Sequence, residues 1–235
     1  MRAHHLVACL FVAMPTVAFA QAPAVHFGSD WRPMDVRTCT TKAMDALRAQ
    51  DFIEGTKAAN SAWGFNEQSI VLVHCVPQNE GTNQGVHIQV LAASRSGQEA
   101  ERLRNQVRES VFDGRRPDLN VRHPDYFNTD SGAFGPRHRA RNYPSLHWGY
   151  DTRPKSLGAC VNAAKLAMHR TGMRAAPGQT LVWGTSSRVT VLVECAPIGG
   201  TMSILVAAAS ADGQVAERVR NDVRKITFDA VAIDD

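Results

Sequence analysis

The chain is written twice, and this repetition limits what it can fold into more than any other feature. At an offset of 121, His26, Gly28, Asp30, Arg32, Pro33 and Cys39 recur as His147, Gly149, Asp151, Arg153, Pro154 and Cys160. A one-residue deletion brings the offset to 120, where Trp63, Gly64, Val71, Leu72, Val73, Cys75 and Pro77 meet Trp183, Gly184, Val191, Leu192, Val193, Cys195 and Pro197. Four residues are then lost in a Gly/Asn-rich turn, and at 116 Gly97, Gln98, Ala100, Glu101, Arg102, Arg104, Asn105, Val107 and Arg108 return as Gly213, Gln214, Ala216, Glu217, Arg218, Arg220, Asn221, Val223 and Arg224. Two folded copies of one unit follow from this self-similarity. They are expected at residues 21–113 and 146–235, joined by a basic Pro/Gly-containing linker at 114–145.

Residues 1–20 read as a cleaved signal peptide: Arg2, an apolar run from Leu6 to Val17, and Ala18-Phe19-Ala20 as an A-x-A cleavage site. The run is far shorter than the roughly 20 residues that a membrane span requires, and no later segment is longer. Leu6-Val7-Ala8-Cys9 has the look of a lipoprotein box but precedes the apolar run instead of ending it. A periplasmic or secreted product without a transmembrane segment is expected. Processing removes one of five cysteines and leaves two per copy, bound for an oxidising compartment. A unit that folded alone before duplication had only its own pair to join, so Cys39 is expected to bridge Cys75, and Cys160 to bridge Cys195.

The formal charge of +4 says little about partners. The linker holds six arginines, at 115, 116, 122, 137, 139 and 141, against Asp118, Asp125 and Asp130, so the two copies are close to neutral. The basic balance belongs to the linker, and no nucleic-acid surface is expected.

Within a copy, an extended stretch at 25–29 leads through Pro33 into a helix over about 35–50, where Cys39, Ala43, Ala46 and Leu47 form one apolar stripe. Extended segments around Trp63-Gly64, over 70–76 and over 86–93 follow, the last two joined as an antiparallel hairpin. A closing helix over about 98–112 buries Ala100, Leu103, Val107 and Val111. The order β-α-β-β-β-α predicts an α+β fold: a tandem repeat of two-layer sandwich modules, each an antiparallel sheet with both helices on one face and one disulfide. Roughly 85 residues enclose a modest core, and a staple compensates for it. Leu72 and Leu91, with Leu192, Leu205, Ala207 and Ala209, fall on the sheet faces away from the helices, which suggests that the sheets pack on each other as an intramolecular pseudo-dimer.

Two repeated motifs are candidates for chemistry. In H-x-G-x-D-x-R-P, extended backbone puts His26, Asp30 and Arg32, and likewise His147, Asp151 and Arg153, on one side of a strand over a bare glycine. These six are the candidate ligand-contacting residues. The plainer reading is a strand-to-helix corner in which Asp30 and Arg32 pair with each other. In A-E-R-x-R-N-x-V-R, Arg104 and Arg108 are placed to grip phosphate or a carboxylate, against the plainer reading of a solvated helix face. Trp63 and Trp183 are expected as core rather than as a sugar-stacking platform. His74 and His87 become Glu194 and Ser203 in the second copy, which reads as surface variation.

No nucleophile elbow, HExxH, P-loop, dinucleotide-binding or EF-hand pattern is present, and no cofactor, metal or catalytic residue is assigned. The leading expectation is an exported, non-catalytic binding protein for a protein or envelope ligand. The alternative is a periplasmic, hydrolase-like enzyme that uses His26 with Asp30 and His147 with Asp151 as acid/base pairs. A purely structural envelope component is a third reading.

Overall fold

The computed structural model describes residues 22–52, 56–80, 83–113, 144–154 and 156–229. The expected signal peptide and residues 114–143 of the linker lie outside them. The first copy runs β1 (Ala24–Arg32), α1 (Val36–Arg48), β2 (Thr56–Lys57), β3 (Ser61–Phe65), β4 (Ser69–Glu80), β5 (Asn83–Ser94) and α2 (Gly97–Asp113). The second repeats it as β6 (Ser145–Arg153), α3 (Leu157–Arg170), β7 (Arg174–Pro177), β8 (Leu181–Thr185), β9 (Val189–Ile198), β10 (Thr201–Ser210) and α4 (Gly213–Asp229).

Each copy is an antiparallel sheet, ordered β1-β5-β4-β3-β2 and β6-β10-β9-β8-β7, with both helices on one face. The α+β sandwich is as the pattern predicts, with one strand more: the edge strands β2 and β7 span two and four residues, too short for alternation to mark them. The first helices start where their caps dictate. Asp35 accepts a hydrogen bond from the Thr38 amide at 2.8 Å and Ser156 from that of Ala159 at 3.2 Å.

The register fixes which residues share a face. Val71, Val73 and Cys75 of β4, with Ile88, Val90 and Ala92 of β5, pack beneath Cys39, Ala43 and Leu47 of α1 and Leu103, Val107 and Val111 of α2. The second copy does the same with Val191, Val193, Cys195, Ile204, Val206 and Ala208. Within these cores Cys39 bridges Cys75 and Cys160 bridges Cys195, tying the leading helix to the central strand in each copy at Cα separations of 6.2 and 6.1 Å.

The residues between them along the strands face the other way. Ile70, Leu72, Leu91 and Ala93 meet Leu146, Leu192, Leu205, Ala207 and Ala209 in a third core, flanked by Val25, Phe27, Trp63, Trp148 and Trp183. Leu72, Leu91, Leu192 and Leu205 are fully enclosed there. The layer order is helices, first sheet, second sheet, helices, so each helical layer lies on the outside. The Thr190 hydroxyl donates to the Pro23 carbonyl at 2.6 Å across the same seam.

No helix among the described residues is long and apolar enough to cross a membrane. The two disulfides fit an exported protein.

Candidate functional site

His26, Gly28, Asp30 and Arg32 of β1 pair with Ala92, Val90, Ile88 and Val86 of β5, all of which face the helices. The strand motif therefore lies under α2, which carries the helix motif. The two motifs, at 26–33 and 100–108 in the sequence, make one surface. A Cβ on Gly28 would lie 3.1 Å from Cδ of Arg104 and 3.3 Å from Cδ of Arg108, so the glycine is what lets two arginine stems rest on the strand. Gly149 stands in the same place with more room: a Cβ there would lie 3.4 Å from Nη1 of Arg220 and 3.5 Å from Cδ of Arg224, ordinary contact distances.

The guanidinium groups gather around one carboxylate and one aromatic ring. Asp30 accepts from Arg32 at 2.8 Å and from the Trp31 amide at 2.8 Å, and Arg108 lies 3.5 Å away. Arg32 and Arg108 both sit over Phe112, each 4.7 Å from the ring centroid. In the second copy Arg153 pairs with Asp151 at 2.7 Å, while Arg153 and Arg224 lie 5.2 and 4.9 Å from the Phe228 centroid. The helix row is not a solvated face. Arg104 is only 20% exposed, with Glu101 at 4.0 Å, whereas Arg102, one residue pair away, is fully engaged with Glu99 in solvent. The Nε atoms of Arg104, Arg220 and Arg224 are buried without a hydrogen-bond partner.

Of the six residues singled out from the strand motif, the structure joins Asp30 to Arg32 and Asp151 to Arg153 and sets each pair beside a helix arginine. It does not join the histidines to the aspartates. Four positions along a strand separate Cα atoms by about 13 Å, and Gly28 with its covering arginine stem lies between His26 and Asp30. His147 is pushed below the usual imidazole range, first by burial and then by Arg220, with Glu217 opposing. Phe112, Phe228 and the four helix arginines escape a reading of the strand motif alone. Their signal was the second repeat, and only the fold shows that the two repeats touch.

His74, His87, Glu194 and Ser203 are not surface variation. His74, Glu194 and Ser203 are buried between the sheets. The Glu194 carboxylate accepts from the Gln89 amide and lies 3.3 Å from Nε2 of His87, itself only 16% exposed. His74 packs against Tyr150 with ring centroids 4.2 Å apart, and the Tyr150 hydroxyl accepts from Asn60 at 2.8 Å. Alternation along β4 predicts this side for residue 74, the same side on which Leu72 and Leu91 point to a covering sheet; the polarity of the residue is what made it read as surface. The tryptophans are seam packing as well: Trp63 meets Trp148 edge-on at 6.2 Å. Among the described residues no group of three His, Cys, Asp or Glu side chains converges as a metal site.

No family model matches the chain and no curated protein matches it. Solved structures similar to it in outline include the di-domain ARO/CYC StfQ from the steffimycin biosynthetic pathway, at 5% identity and TM-score 0.26, covering 88% of this chain and 96% of that one. DynU16, a putative protein in the dynemicin biosynthetic locus, shares 9% identity at TM-score 0.22 over 89% of this chain and 96% of its own. The di-domain ARO/CYC BexL from the BE-7585A biosynthetic pathway shares 7% at TM-score 0.21 over 89% and 94%. At such scores no residue correspondence follows.

Proposed function

We propose that this chain is an exported, non-catalytic binding protein that presents two equivalent sites on opposite outer faces. The observation that carries this reading is the interlocking of the strand and helix motifs into the same half-exposed array in both copies, where the edge strand meets the closing helix. Support for holding over proton transfer comes from Asp30, which serves as counter-ion to Arg32 and Arg108, and from the separation of His26 from Asp30 along the strand.

The test is affinity capture from an envelope extract on the immobilised mature protein. A retained ligand should be lost in the variant carrying Arg108→Ala and Arg224→Ala and kept, at about half the capacity, when only one of the two is changed. Ligand retention unaffected by the paired substitution removes the assignment to these faces, and turnover of a general esterase or peptidase substrate that depends on His26 and Asp30 revives the enzyme reading.

A further inference from the structure

Resting on that reading, the geometry points to the chemistry of the ligand: we infer that each outer face binds an oxyanion, a carboxylate or phosphate-type group, between the guanidinium groups of Arg32, Arg104 and Arg108 in the first copy and of Arg153, Arg220 and Arg224 in the second. Three features carry this inference. The first is a local excess of cations: Asp30 and the more distant Glu101 face three arginines. The second is pre-organisation. Arg104 and Arg108 are pinned by their stems against Gly28, and Arg32 and Arg108 by Phe112, so little side-chain entropy remains to be lost when their forked donors close on an anion. The third is uncompensated burial: the Nε atoms of Arg104, Arg220 and Arg224 are enclosed without an acceptor, and an anion seated against the same guanidinium groups would offset that cost. Lysines would supply the charge without planar pairs of donors, and planar pairs are what match a carboxylate or a phosphate.

One site lies between β1 and α2 and the other between β6 and α4, with both sheets between them, so one small anion does not reach both. Two independent sites per chain are expected, each weakening as salt rises because the contact is charged and half-exposed.

Titration calorimetry on the mature full chain, with inorganic phosphate, pyrophosphate and citrate as separate probes at low and then physiological salt, tests this directly. The expected result is two equivalent sites for at least one probe. Arg104→Ala with Arg108→Ala should weaken one site at least tenfold and leave the other intact. Gly28→Val should weaken the same site while keeping every arginine, with the melting temperature showing that the fold persists. A phosphate-type preference or a carboxylate preference identifies the natural source, and either supports the inference. Absence of binding by all three probes overturns it, as does binding that survives the arginine substitutions. If capture of an extract ligand still depends on Arg108 and Arg224 in that event, the binding reading stands and only the oxyanion assignment falls.

Discussion

On the outside of the molecule Gly28, Asp30, Arg32, Arg104, Arg108 and Phe112 are matched one for one by Gly149, Asp151, Arg153, Arg220, Arg224 and Phe228; in the seam His74, His87 and Gln89 are matched by Glu194, Ser203 and Leu205. The contrast has a physical cause. An outer face makes its contacts within its own copy, so both copies can keep the same set. A two-fold seam between identical copies sets residue i of one against residue j of the other, so two first copies would bring the position of His74 onto His87 and Gln89 of its partner, imidazole against imidazole in a low-dielectric interface. Fusing the copies allowed the two sides to differ, and Glu194 of one now meets Gln89 and His87 of the other. Unlike partners of this kind favour first-against-second packing over pairing of two first copies.

The largest effect should come from what the copies share inside. Removing either staple, by Cys39→Ala with Cys75→Ala or by Cys160→Ala with Cys195→Ala, should cost about 3 to 4 kcal/mol by loop entropy over separations of 36 and 35 residues. Calorimetry should show equal losses in the two copies. A loss confined to one copy would break the equivalence at the level of the core.

Next in size is the apolar centre of the seam. Leu72→Ala or Leu192→Ala should each cost about 3 kcal/mol, since both side chains are fully enclosed. The whole chain should still melt in one transition, because neither sheet face is stable uncovered. Two resolved transitions in the unmutated protein would show the copies to be energetically independent.

The polar part of the seam predicts a pH dependence of stability. Burial, helped by the neighbouring His87 and partly offset by the Asn60 backbone, pushes His74 down to about 4. The unfolded chain takes up a proton near pH 6.5 and the folded chain does not, so stability is whole above pH 6.5 and declines as pH falls towards 4. The loss is on the order of 3 kcal/mol at most. Around His74 in the seam stand His87 and Gln89 from β5, Tyr150 from β6 and Glu194 from β9. Denaturant midpoints between pH 7 and 4 should flatten in His74→Leu; an unchanged slope would place the acid sensitivity elsewhere.

The smallest stability effect belongs to the outer array. Arg108→Ala should cost about 1 kcal/mol or less, as its ion pair to Asp30 is about one-third exposed and screened by solvent. The ring of Phe112 would keep Arg32. A binding loss far larger than this stability loss separates a ligand site from a structural corner.

Much of the inner architecture could be read from residue spacing. Cys39, Ala43, Ala46 and Leu47 at helical intervals, and Val71, Val73 and Cys75 at alternate positions, already place a cysteine of the helix over a cysteine of the strand. The edge strands β2 and β7 could not be read, being shorter than one period of the pattern. The outer array was visible as two separate repeats. Arg104 looked solvated because a helix pattern records spacing and not which strand lies beneath. His74 and Glu194 were misplaced for a related reason: a polar residue on the sheet face away from the helices is ordinarily exposed, and its burial depends on a second sheet far along the chain.

By itself, then, the order of residues established the duplication, the α+β unit, the pairing of its cysteines and the identity of each sheet face, since all of these rest on local periodicity or on correspondence between copies. Residue spacing also pointed to packing of the two sheets on each other; tertiary structure decided which side chains meet across that seam and beneath the helices. It seated arginine stems on Gly28 and Gly149, and it enclosed an acid and two imidazoles between the sheets. Contact between elements far apart in the chain depends on how whole surfaces fit, and no local pattern carries that information.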